Sequence, residues 1–337
     1  MSVRTILGWL LVAALLCGCT APDRPTISPT PVETRGVQQR SEPPTAEPAA
    51  VVTATAFTSA TPTATASPTA TAAPSRTPTA TATPQPTATP SPTASQTPTP
   101  GPTSDGVART LQVPILMYHY ISSPPADADT YRRDLSVTPA LFESDLKYLT
   151  DAGYQVITLD DLLYALAQGW ELPAKPVVLT FDDGYEDNYT NAFPLLQKYN
   201  LVGHFFIISD FVNQGRPGYM TWPQIEEMAA AGQRFGSHSR DHPSLKGQND
   251  DYLVWQALGG EEALDEHLGQ HPRWISYPAG QYDDRTIAIY KSAGYWGGLA
   301  TQQGATHTLD GIFELKRVRV RGSHTVEDLG KLLELDW

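Results

Sequence analysis

Between positions 51 and 100, 44 of 50 residues are Thr, Ala, Pro or Ser. Such a stretch has almost nothing apolar to bury and cannot offset the entropy of ordering it. Its regularly spaced prolines bias it towards polyproline II, which extends by roughly 3.1 Å per residue. Residues from 19 to 108 therefore read as a semi-rigid stalk, open to O-glycosylation, rather than as a domain. Any fold must be built from residues 109 to 337. That length suits one large α/β domain with a sizeable core.

The first 18 residues read as an export signal. Arg4 supplies the positive start, and Ile6 to Leu16 is an apolar run of eleven residues broken only by Gly8. A run of that length is too short to span a bilayer as a helix. Leu16-Cys17-Gly18-Cys19 resembles a bacterial lipobox, which implies cleavage before Cys19 and a lipid on its thiol. The expected location is then the extracellular face of the membrane, with ordinary secretion or an uncleaved anchor as alternatives. Cys17 and Cys19 are the only cysteines. The folded part therefore has neither disulfides nor thiolate ligands and must rest on its hydrophobic core.

From Ala108 onward there are 18 Lys and Arg against 31 Asp and Glu, so the whole formal charge of −13 lies there. That balance argues against nucleic acid or another polyanion as substrate. A neutral polymer, or one whose product is cationic, fits better. Nothing in the sequence calls for a second subunit, and a monomer is expected.

Pro176 to Phe181 is a short, almost wholly apolar run, as in a strand buried on both faces of a parallel sheet. Asp182 and Asp183 stand where it stops, and Gly184 opens a turn. In α/β architectures the carboxyl ends of the strands are where ligands bind. Two adjacent carboxylates at a buried strand end need an offset, and a cation held by one of them supplies it. A solvated Asp-Asp-Gly turn is the alternative reading.

A second stretch favours the cation. His238 and His242, in Gly236-Ser237-His238-Ser239-Arg240-Asp241-His242-Pro243, are four residues apart, so one helical turn would bring both imidazoles to one face. Two histidines and one carboxylate make a three-ligand catalytic metal site with open positions. Zinc is the expected ion, and iron, cobalt or nickel accept the same donors.

Strand and helix signals alternate through the domain. Strands are expected at Val113 to His119, Gln155 to Leu159, Gly203 to Ile208, Gln233 to Gly236, Trp274 to Tyr277, Gly297 to Thr301 and Arg317 to Val320. Thr138 followed by Pro139 marks the start of an amphipathic helix to about Asp151. Further helices are expected at Asp160 to Gln168, Asp187 to Tyr199, Trp222 to Ala231, Asp284 to Ala293 and Glu327 to Leu333. One from Asp250 to Leu268 is expected to break at Gly259-Gly260. The alternation predicts a parallel sheet with helical crossovers.

Thr180-Phe181-Asp182-Asp183-Gly184 and Ser237-His238-Ser239, with His242-Pro243, resemble the first two motifs of the polysaccharide deacetylase family of metal-dependent carbohydrate esterases. The resemblance runs from about Val113 to the C-terminus. It implies a distorted (β/α) barrel of about seven strands, with Asp182 as general base and Asp183, His238 and His242 as metal ligands. The family's usual C-terminal Leu-x-x-His is missing, since His324 lies in a loop-like Arg-Gly-Ser-His context. Leu116-Met117-Tyr118-His119 instead resembles the permuted branch that includes poly-N-acetylglucosamine deacetylases, which makes His119 the general acid. The third motif is altered to Ser276-Tyr277-Pro278-Ala279-Gly280. Ser276 stands where an Arg normally tunes the base, and Ala279 replaces an aromatic while keeping a backbone N–H for the oxyanion. Tyr277 belongs to the same substrate-facing motif. The family's fourth motif has no clear counterpart.

Trp222, at a helix start, is a candidate wall of the sugar groove, with ordinary packing as the alternative. His204 reads as a strand histidine, and His267 and His271 as solvated. Arg317 and Arg319 alternate along a strand, so one of them can reach the site, with surface charge as the alternative. The expected reaction is removal of N-acetyl groups from an extracellular or cell-wall N-acetylglucosamine polymer. An O-acetyl esterase on xylan-like glycans and a non-catalytic glycan-binding module are the alternatives. A glycosidase fits poorly, because its two carboxyl groups flank the bond at roughly 5 to 9.5 Å, not as strand neighbours.

Overall fold

The computed structural model of the protein describes residues 100–335. The export signal, Cys19 and the stalk up to residue 99 lie outside the described residues. In chain order the strands are β1 (Thr110–Gln112), β2 (Ile115–Tyr118), β3 (Gln155–Val156), β4 (Pro176–Phe181), β5 (His204–Ile207), β6 (Arg234–Ser237), β7 (Trp274–Ser276), β8 (Gly297–Gln303), β9 (Thr306–Thr308) and β10 (Leu315–Arg319). The helices are α1 (Thr130–Asp134), α2 (Pro139–Asp151), α3 (Leu159–Gln168), α4 (Phe193–Tyr199), α5 (Ser209–Asn213), α6 (Trp222–Ala230), α7 (Asp250–Leu268), α8 (Asp284–Ser292) and α9 (Val326–Glu334). No helix among the described residues is long and apolar enough to cross a membrane.

Seven parallel strands close in the order β2, β10, β8, β7, β6, β5, β4 and back to β2. The expected (β/α) barrel of about seven strands is what forms. Its distortion sits at β3, which pairs with the start of β4, while β5 pairs with the end of the same strand. The antiparallel pair β1 and β9 lies outside the ring.

Strand β4 shows why the barrel closes. Val177, Leu179 and Phe181 join the buried cluster that includes Phe142 and Leu146 of α2 and Leu196 of α4. Val178 and Thr180 alternate with them, and Asp182 continues that parity just past the strand. The Thr180 hydroxyl and the Asp182 carboxylate both meet Arg317 of β10, across the interior.

Helix α2 starts as its sequence dictates, with Thr138 accepting from Leu141 N and Pro139 in the first turn. Helix α3 lies against the opening strand ends: Leu159 N donates to His204 Nε2 at the start of β5, and Asp160 accepts from Trp274 Nε1 at the start of β7. Helix α7 runs unbroken through Gly259 and Gly260, contrary to expectation. Both glycines are buried, and a Cβ on Gly260 would collide with Ser237 Oγ. They serve close packing on the end of β6, not a bend.

Candidate active site

Four strand ends build the site. His119 follows β2, Asp182 and Asp183 follow β4, His238 follows β6, and Ser276 closes β7. Asp182, Asp183 and His238 are buried, and His119 is 8% exposed. With His242 and Ala279 they line one cavity of about 130 Å³. A larger cavity of about 320 Å³ lies among Asp160, His204, Arg234 and Trp274, at the opposite end of the barrel. Reactive groups of such barrels gather at the carboxyl ends of the strands, so chemistry belongs to the smaller cavity.

The two carboxylates diverge because the backbone turns sharply between them. Asp183 has φ 73° and Gly184 φ 74°. Left-handed backbone is costly for a residue with a Cβ, and aspartate tolerates it better than most. Asp183 Oδ1 thereby lies 3.1 Å from His238 Nε2 and 3.3 Å from His242 Nε2.

The two histidines do not share a helical turn, which corrects the expectation from their spacing. Residues 238 to 249 are irregular, with Ser239 at φ 65° and His242 at φ 64°. Local hydrogen bonds shape this loop instead: Ser239 N donates to Ser237 Oγ, and His242 N to Ser239 Oγ. His238 Nδ1 is 2.7 Å from the Ser276 carbonyl. A carbonyl can only accept, so Nδ1 carries the proton and Nε2 presents its lone pair towards Asp183.

The residues present fit a metal ion. The donor atoms of Asp183, His238 and His242 lie within 4.8 Å of one another. A buried carboxylate facing two imidazoles is the donor set that a borderline divalent cation prefers. Burial works against a charge on Asp183, but whenever the facing Nε2 atoms carry protons their hydrogen bonds hold its carboxyl well below the usual range.

Asp182 is held differently. Arg317 Nη1 donates to Asp182 Oδ1 at 2.9 Å and Nη2 to Oδ2 at 2.7 Å, with both residues buried. Ser276 Oγ adds a hydrogen bond to Oδ2 at 3.2 Å. The tuning arginine expected to be missing from the third motif is therefore present, supplied by β10. Ser276 leaves room for the longer reach, and Arg317 Nε is anchored on Ala300 O at 2.9 Å on the way. Burial opposes ionisation of Asp182, yet the Arg317 charge, followed by His238, outweighs it and brings the pKa to about 2. Arg319, two residues on, shares the inward parity and lines the cavity mouth.

His119 Nε2 stands 4.0 Å from Asp182 Oδ2. Burial lowers the pKa of its ring. Ala279 lines the cavity in a short 3₁₀ turn, at φ 51° and ψ 18°. Its neighbour Tyr277 does not reach the site: it is fully buried and stacks on Tyr282 with centroids 4.4 Å apart. Strand parity decides this, since Ser276 faces Asp182 and Tyr277 must face away.

Trp222 is also elsewhere. Its ring is 9% exposed, lies 4.0 Å from His267, and donates through Nε1 to Asn213. Nor are His267 and His271 merely solvated. His267 also pairs with Glu226, while His271 Nδ1 is 2.9 Å from Glu261. His204 is the buried strand histidine that was expected. The sequence reading missed the aromatic wall formed by Tyr185, Phe211 and Tyr219. Tyr185 follows Gly184 directly, which was the available signal.

The family model for polysaccharide deacetylase matches residues 170–297. A Bacillus subtilis (strain 168) protein, YxkH, whose name gives it provisionally as a polysaccharide deacetylase, is 34% identical over 223 residues, 66% of this chain and 76% of its own length. A poly-beta-1,6-N-acetyl-D-glucosamine N-deacetylase of Staphylococcus aureus (strain MRSA252) is 26% identical over 56% of this chain and 69% of its own. Among solved structures, the Streptococcus pyogenes deacetylase PplD, in complex with acetate, matches with TM-score 0.63 and 30% identity, over 67% of this chain and all of that one.

Proposed function

Because this chain belongs to the polysaccharide deacetylase family, and is a polysaccharide deacetylase, we propose that it hydrolyses the N-acetyl groups of an N-acetylglucosamine polymer outside the cell. The observation that carries this reading is the single cavity in which Asp183, His238 and His242 converge beside Asp182 and His119. The Staphylococcus aureus relative, named for that chemistry, supports the substrate class. So does the acidic domain, whose field suits a product that gains ammonium groups.

Asp183, His238 and His242 are assigned as the ligands of a divalent cation, with zinc as the ion. Such a cation supplies Lewis acidity to the acetyl carbonyl and to the attacking water. Asp182, kept ionised by Arg317, receives the proton of that water at its carboxylate. His119 delivers a proton from Nε2 to the departing amine. The Ala279 N–H is the proposed donor to the developing oxyanion. We place the enzyme at the extracellular face, tethered through a lipid on Cys19.

Exchanging the two carboxylates separates these roles. Asp183→Asn should lower bound zinc and activity together, and excess zinc should restore part of the rate. Asp182→Asn should retain zinc and lose general-base catalysis, about 10²–10⁴-fold in turnover of N-acetylglucosamine oligomers. Metal content measured beside acetate release decides it; zinc lost from Asp182→Asn and kept in Asp183→Asn would reverse the assignments. Acetylated xylan hydrolysed faster than the oligomers by the unaltered enzyme would instead favour an O-acetyl esterase.

A further inference from the structure

His119 reaches the site from the first strand of the barrel, yet its ring has no second anchor. Nδ1 is buried without a hydrogen-bond partner, whereas His238 uses the same atom to fix its ring on Ser276. A histidine that moves protons is ordinarily oriented through its other nitrogen. The placement of His119 must then come from its backbone.

That backbone is gripped residue by residue. Asn188 Nδ2 donates to His119 O at 2.8 Å. The Tyr185 ring stacks on Tyr120, with centroids 3.6 Å apart. Asn191 Nδ2 donates to Ile121 O at 2.9 Å, and Ser122 Oγ donates to Asp187 Oδ2 at 2.6 Å. Four consecutive residues, 119 to 122, are thus held by one segment, 185 to 191, which begins two residues after Asp183.

The middle of that segment is unusual. Asn188 opens a π-helical turn, Asn188–Ala192, before α4 continues as an ordinary helix. Single π turns inside helices occur often at functional sites. Asn188 is fully buried, and its Oδ1 has no partner while its amide serves His119 and Asp187. A buried unpaired acceptor calls for an explanation, and holding the His119 carbonyl supplies one.

We infer that Asn188 is a positioning residue for His119, and that segment 185–191 is a clamp that registers the proton-donating loop against the carboxylate strand end. The inference rests on the reading of His119 as general acid. Segment and carboxylate pair are continuous in sequence, so the same backbone that presents Asp182 and Asp183 sets where the imidazole stands.

A role in proton delivery is separable from a role in folding, because an activated ester loses its leaving group without protonation. Asn188→Ala, Ser122→Ala and His119→Ala are to be compared on N-acetylglucosamine oligomers and on 4-nitrophenyl acetate, with bound zinc and melting temperature measured. His119→Ala should lose about 10²–10⁴-fold in amide turnover and change little on the ester. Asn188→Ala should lose roughly 10-fold or more in amide kcat, with KM, ester turnover and zinc content nearly unchanged, since misplacement of a catalytic group is felt in the step it serves. Equal losses on both substrates, or no amide loss, would overturn the clamp. Should Asn188→Ala fail to fold, the half-buried Ser122→Ala carries the test: a selective amide loss supports the clamp, and an unchanged amide-to-ester ratio overturns it. If His119→Ala itself shows no amide selectivity, the acid assignment falls and the clamp with it. If only the clamp variants lack selectivity, the clamp alone is wrong.

Discussion

At the scale of single residues, the buried pair Asp182 and Arg317 sets the chemistry of the site. A charge pair removed from water is costly unless its hydrogen bonds are complete, and this one has two Arg317 bonds plus Ser276. Arg317→Gln leaves the carboxylate buried without a countercharge, so the domain should lose about 3–5 kcal/mol of stability in denaturant titrations. The remaining influence of burial raises the pKa of Asp182 from about 2. A protonated Asp182 cannot accept the proton of water, so the acid limb of the pH profile of kcat/KM should move to higher pH. Bound metal should hold, since Asp183 and the histidines are untouched. An acid limb that stays in place would show that Arg317 supports the fold and not the base.

At the scale of elements, α2 carries a polar group on its apolar stripe. Phe142, Asp145, Leu146 and Leu149 are its buried face, and Asp145 meets the Tyr118 hydroxyl at 3.2 Å. Burial pushes the Asp145 pKa up to about 7 from an ordinary 3.8, only partly offset by that hydrogen bond. The folded state therefore holds a proton that the unfolded chain has released between about pH 4 and pH 7. Stability contributed by this group is present below that window, falls as pH rises through it, and stays lost above it. Asp145→Asn should remove that slope and stabilise the domain above pH 7 by on the order of 2 kcal/mol. Thermal melts at pH 5 and pH 8 check the sign; an equal change at both would refute the titration.

At the scale of the whole molecule, every lining residue of the site among the described residues belongs to the barrel domain. The proposed stalk and lipid would then serve location. Cys19→Ala should move the enzyme from the membrane fraction to the medium and leave turnover of soluble oligomers unchanged. Fractionation with an acetate-release assay measures both; an unchanged membrane fraction would count against the lipid. Residues just before β1 do touch the barrel, since Asp105 N donates to Ala167 O and Arg109 Nη1 to Leu166 O. A domain started just before Asp105 keeps both contacts.

The sequence by itself determined a parallel sheet with helical crossovers and the identities of the central groups, because these depend on local periodicity and on residue types; the barrel followed from the family resemblance. Alternating strands and helices require a parallel sheet, and Asp182, Asp183, His238 and His119 stand at strand ends wherever the strands close. Tertiary structure decided what depends on the direction of side chains and on partners distant in the chain. Only closure of the ring brings Arg317 of β10 onto Asp182, 135 residues away, in place of the arginine absent at Ser276. Only strand parity sends Tyr277 into the core, and only the loop's left-handed residues, not a helical turn, aim His242 at Asp183. Trp222 stacks on His267 because two helices meet there, α6 and α7, which no spacing in one segment encodes. Residue types and spacings are local properties of the chain, whereas the field around a carboxylate is a sum over everything the fold brings near it.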